Sequence, residues 1–345
     1  MHIEDFLREI TAIRGLSGDE ALVSAFVKEA FAPLCDEITV DKMNNVIARK
    51  KGPGPKVMFS AHLDEIGLMV VDIEKDGCLR LGNVGGVDPR ILPGQRVTVY
   101  GREPLLGIIG AKPPHLLTDE DRKKNYLRED LYVDLGFPYE KVKELVQIGD
   151  QVQLEHRYVE LKNDQAAVKT CDDRACVAIM YQALKLLQNI RHEADLYFVA
   201  SSQEEVGCRG VMTAAFGVDP DFGVALDVCH AATPGAPGWR THKLDSLVAS
   251  MGPYIHPVLR RKLTEVAKDN NIALQTAVVP RNTSTDADEL GRARAGVPTV
   301  LLELPLKYMH TTVETFNRNT LKEGGRLLAQ FAAAVSAEWE DELWT

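Results

Sequence analysis

The chain has 345 residues, enough for one full core and, on length alone, for two domains. With 45% hydrophobic and 26% charged residues it reads as an ordinary soluble protein, and no stretch approaches the roughly 18 uncharged apolar residues that a membrane helix needs. A net charge of -10 spread along the chain offers no basic footprint for nucleic acid, and the opening MHIEDFLREI has no secretory apolar run, so a cytoplasmic protein without nucleic-acid or membrane partners is expected.

In chain order, residues 4–14 read as a helix, and Ser17-Gly18-Asp19-Glu20 reads as a capping box opening a second helix over 18–33. An alternating strand follows at 37–40, then NNVIARK as a turn into another strand. KVMFSAHLDEIGLMV is an apolar run interrupted by His62, Asp64 and Glu65. From about 70 to 163 the texture changes to short alternating segments with many glycines, the pattern of a small β-module. Gly85-Gly86 fits a tight turn there. Beyond it, ADLYFVASS, GVALDV and VPTVLLEL read as strands and 174–190, 255–270 and 318–340 as helices. The expected architecture is an α/β domain, a mixed sheet flanked by helices over residues 1–69 and 164–345, with a β-barrel-like domain inserted at 70–163.

Acids and histidines gather at the strand ends of the α/β part. His62 and Asp64 follow VMFSA, Glu204 and Glu205 follow ADLYFVASSQ, Asp227 ends GVAL, and His310 lies just beyond VPTVLLELPLKYM. Open α/β sheets bind ligands at the carboxyl ends of their strands, so these segments can converge. A fifth motif, Cys171-Asp172-Asp173-Arg174, opens the 174–190 helix. Singly, each has a plain structural reading: an Asp before a helix caps it, and glutamate doublets are mostly solvated. Two acids inside an apolar strand-turn-strand are harder to bury idle. Two histidines and three carboxylates suit adjacent divalent ions, with zinc, cobalt and manganese all compatible. A spare carboxylate in the Glu204-Glu205 doublet would move the proton of an attacking water, and Asp64 would orient His62. His115 reads as structural, and His230, His242 and His256 as surface or loop residues.

AHLDEIGLMV, DDR at 172–174, EEVGCRG at 204–210, ALDV at 225–228 and PLKYMH at 305–310 resemble the family 42 metallopeptidases, the TET and glutamyl aminopeptidases, some of them labelled "cellulase M". GIIGAKPPHLL and LYVDLGF are similar to that family's second domain, and the likeness runs to about residue 336. The resemblance implies that His62 and Asp227 hold one ion, Glu205 and His310 the other, and that Asp172 bridges them. It implies Glu204 as general base, Asp64 as the partner of His62, and two divalent ions per subunit, zinc or cobalt first. The implied reaction removes the N-terminal residue of a peptide substrate. The insert is implied to carry self-association, dimers building a dodecamer.

Two departures stand out: Ala175-Cys176 where the family often has a glycine, and TSTDADEL at 283–290, whose Asp288 and Glu289 would bear on the substrate pocket. Competing readings are an endoglucanase, which needs a carboxylate pair and no metal, an assembly protein with structural metals only, and a related deacylase or dipeptidase. The preferred N-terminal residue is not legible in the motifs.

Overall fold

The computed structural model describes residues 1–343. The chain opens with α1 (Ile3–Ala12) and α2 (Ala21–Phe31), then β1 (Glu37–Val40), β2 (Val46–Lys50) and β3 (Lys56–His62). Six strands follow, β4 (Gly67–Ile73), β5 (Leu79–Val84), β6 (Arg96–Tyr100), β7 (Pro104–Ala111), β8 (Leu131–Asp134) and β9 (Gln151–Leu154), with α3 (Tyr139–Leu145) between the last two. Next come β10 (Val159–Glu160), β11 (Gln165–Ala167), α4 (Cys171–Leu186), β12 (Asp195–Ser201), α5 (Arg209–Val218) and β13 (Phe222–His230). The chain continues with β14 (Leu247–Met251), α6 (Pro257–Asp269), β15 (Leu274–Val278), α7 (Asp286–Leu290), β16 (Thr299–Leu306), β17 (Thr315–Asn317), α8 (Arg318–Ala334) and α9 (Glu338–Glu342).

Eight strands form one mixed sheet in the order β1-β2-β12-β3-β13-β16-β14-β15, and β4 to β9 close into an antiparallel barrel. The expected mixed sheet with a small barrel is therefore the observed fold. The two-residue period of β3 shows how the sheet is covered. Val57, Phe59 and Ala61 join the large core under α1, α2, α4, α6 and α8, whereas Met58 joins a smaller core under α5 and α7. Phe6, Leu7 and Ile10 bury one stripe of α1, and α4 runs through the middle of the large core. The barrel has its own core, including Leu68, Leu79, Val97, Val99, Val133 and Val152.

The capping box expected at 17–20 does not form. Ser17 Oγ donates instead to Asp64 Oδ2 at 2.6 Å, Glu20 accepts from Gly18 N, and α2 begins only at Ala21. A deeply buried carboxylate holds the hydroxyl in place of the helix N-terminus. β12, β3, β13 and β16 run parallel to one another, so their carboxyl ends share one edge of the sheet.

Candidate metal centre

That edge gathers the chemistry. His62 is the last residue of β3, Glu204 and Glu205 follow β12, Asp227 lies inside β13, and His310 sits in the turn between β16 and β17. Asp172, at the start of α4, lies between the two imidazoles. Its Oδ1 is 3.1 Å from His62 Nε2 and its Oδ2 is 3.2 Å from His310 Nε2. His310 Nε2 also lies 3.3 Å from Glu205 Oε1, and His62 Nε2 lies 3.7 Å from Glu204 Oε2.

Asp64 ties the two halves together from below. It is fully buried, with Oδ1 3.5 Å from His62 Nδ1, and it accepts backbone N–H groups from Glu204 at 3.0 Å and Glu205 at 3.3 Å. One carboxylate thus fixes both the ring of His62 and the doublet beside it. Asp227 keeps closer company with Asp173 than the motifs suggest: His62, Asp173 and Asp227 offer ligand atoms within 4.8 Å of one another, as do His62, Asp172 and Glu205.

Residues outside the expected set hold this arrangement. Glu314 accepts from the backbone N–H of Asp172 (3.1 Å) with Oε2 and from that of His310 (2.8 Å) with Oε1. Gly86, from the loop after β5, accepts His310 Nδ1 on its carbonyl at 2.9 Å, and a Cβ there would lie 3.0 Å from the same nitrogen. The barrel therefore reaches the centre through a glycine against which the His310 ring packs closely. Arg174 is fully buried and donates to Ile10, Ile13 and Leu63 carbonyls, while Lys169 pairs with buried Glu65. Thr170 (φ 70), Gln203 (φ 57) and His310 (φ 60) have left-handed backbones, a conformation that costs non-glycine residues energy and recurs at functional sites.

The electrostatics describe a surplus of buried negative charge. Burial pushes the Glu204 carboxyl up to about 8, helped by Asp286 and Glu205, and pushes Glu314 up to about 8, helped by Asp172. Burial, with Asp173 and Asp172 nearby, also raises Asp227 well above the carboxylate range. For His62 burial acts downward, but the Asp172 and Asp64 carboxylates outweigh it and raise the imidazole well above its usual value. His310, where burial again acts downward, is pushed up to about 11 by Asp172 and Glu205. Asp173 Oδ1 is buried without a hydrogen-bond partner among the described residues. Two imidazoles do not neutralise so many carboxylates, and oxygen-rich, nitrogen-containing donor sets of this kind fit divalent ions.

The centre opens into a cleft of about 760 Å³, a volume suited to a small ligand, walled further along by Val278, Val279, Thr283 and Trp239. His230 and His242 line it as well, so they border the site although they belong to no motif. Asp288 does not line it: its carboxylate accepts from Thr283 N, Thr283 Oγ1 and Ser284 N, and Glu289 pairs with Arg292. Asp288 thus shapes the loop, and Thr283 to Thr285 present it to the cleft.

The family model for M42 glutamyl aminopeptidase matches residues 44–327. The lysyl aminopeptidase of Pyrococcus furiosus is 38% identical over 336 residues, covering 94% of this chain and 96% of that one. Among solved structures, the TET aminopeptidase of the archaeon Thaumarchaeota archaeon SCGC AB-539-E09 superposes with a TM-score of 0.94 at 30% identity, covering 99% of this chain and 98% of that one. The TET1 peptidase of Pyrococcus horikoshii, described as assembling into a tetrahedron or a large octahedral shell, does so with 0.85 at 30% identity, over 96% and 100%. Motifs, fold and full-length similarity agree, and the chain belongs to the M42 glutamyl aminopeptidase family.

Proposed function

We propose that the chain is a co-catalytic two-metal aminopeptidase that removes the N-terminal residue of peptides in the cytoplasm. The observation that carries this reading is the two-sided approach of Asp172 to His62 and His310, with Glu204 beside His62. His62 and Asp227 would hold one divalent ion, Glu205 and His310 the other, and Asp172 would bridge them, with zinc or cobalt as the ions. When bound, such ions supply Lewis acidity toward a water and the scissile carbonyl.

The chain's own residues supply the rest. Glu204, buried and outside the ligand set, takes a proton from the water and returns it to the leaving amine. Asp64 keeps the His62 ring and the backbone of the doublet in register. Glu314 sets the backbones that carry Asp172 and His310.

Segment 70–163 is proposed as the assembly domain, joining dimers into a larger shell, a dodecamer. In support, β7 turns Leu106 and Ile108 outward at 70% and 54% exposure, and such apolar positions on a barrel wall favour a protein neighbour. The test is release of p-nitroaniline from aminoacyl-p-nitroanilides. Activity that chelation abolishes and zinc or cobalt restores, with no action on carboxymethylcellulose, supports the reading. Activity that survives chelation, or cellulose cleavage, contradicts it.

A further inference from the structure

Glu303 is a buried carboxylate that the metal centre does not use. It lies on β16 in parallel register with Asp227 on β13, so the two side chains leave the same face of the sheet one strand spacing, ~4.8 Å, apart. It is 7% exposed, and it lines the same cleft as Asp172, Glu204, Glu205 and Asp227.

It has no paired cation among the described residues. Among the described residues Ser250 Oγ is the side-chain donor to its Oε2, and no Lys, Arg or His lies within ion-pair distance of it. Glu65 by contrast has Lys169 and Arg174, and Asp195 has Arg49, whereas buried Glu20, which accepts from Gly18 N and pairs with no cation among the described residues, does not line the cleft. Asp286, also without a cation, receives two hydroxyls, from Ser60 and Ser201, and does not line the cleft. Burial raises the Glu303 carboxyl to about 7, the signature of a carboxylate whose counter-charge the fold does not provide. A cationic ligand group entering the cleft would provide it.

We propose that Glu303 sets the specificity of the cleft by pairing with the side-chain cation of an N-terminal lysine or arginine. The inference rests on the aminopeptidase reading and adds its substrate class. A lysine side chain is long enough to cross one strand spacing from the reacting carbonyl, and Val278, Val279 and Met309 offer aliphatic walls for its methylenes. Arg240 and Arg281 also border the cleft, but both are exposed, and Arg240 lies over the Trp239 ring at 4.4 Å. Solvent screens such rim charges far more than it screens a buried carboxylate.

The test compares kcat/KM for Lys-, Arg-, Leu- and Glu-p-nitroanilide on the metal-loaded wild type, E303Q and E303D, with metal content and melting temperature checked for each. Wild type is expected to favour Lys and Arg, E303Q to lower the Lys-to-Leu ratio by roughly 30-fold or more, and E303D to keep Lys ahead. A wild-type preference for Leu or Glu overturns the inference while leaving the aminopeptidase reading intact. So does an E303Q that weakens all four substrates equally, as a purely structural residue would. Loaded wild type that cleaves none of the four overturns both.

Discussion

Asp172 meets His310 through Oδ2 at 3.2 Å while its other oxygen faces His62, so a single carboxylate spans the two histidines of the centre. Both contacts come from this one side chain. On the proposed two-metal reading, D172N is expected to lower bound metal from about two equivalents to fewer than one and to cut turnover by roughly 10³-fold or more. Elemental analysis after dialysis, run beside an aminoacyl anilide assay, checks both numbers.

Glu314 touches no substrate in this scheme, yet it receives the N–H groups of Asp172 and His310 on separate oxygens. Glutamine keeps one acceptor and turns an amide N–H₂ toward the other donor. E314Q is expected to weaken metal retention by roughly 10- to 100-fold. A chelator titration that follows loss of activity measures it, and the midpoint should move to lower chelator concentration.

The pH dependence of the chelated protein follows from the raised carboxyls. In the folded chain Glu204 and Glu314 hold protons up to about 8, whereas their ordinary value is 4.5. Their contribution to stability is fully present below the unfolded value and is lost as pH rises toward 8. His310, raised from 6.5 to about 11, acts in the same direction at higher pH. The melting temperature of chelated protein should therefore fall between about pH 5 and about pH 8, and the stabilisation gained on adding zinc or cobalt should grow over the same interval. Calorimetry with and without metal tests this.

Much of this was legible because it is local. The strand at 37–40 alternates in sequence, α1 repeats its apolar residues at helical spacing, and His62 and the Glu204-Glu205 doublet sit at or just past strand ends, although β13 runs on three residues beyond Asp227. What stayed hidden is long-range. Ser17 has the spacing of a helix cap, but its hydroxyl goes to Asp64, far along the chain. Glu314 looks like an ordinary acid after HTTV until the turn folds back on Asp172. Gly86 reads as a turn residue because nothing nearby announces that His310 packs on it. Asp288 drew notice as a departure from the resembling family's segment, and its carboxylate is taken up by the loop. Periodicity reports which face a residue occupies and is silent on which distant group shares that face.

The central claim is that Glu204 performs chemistry beside a metal pair it does not bind. The direct measurement is E204Q, assayed for aminoacyl anilide turnover and for metal content in one preparation. The account predicts two retained equivalents of metal with turnover reduced by roughly 10³-fold. Turnover close to wild type with the metal still bound would contradict it.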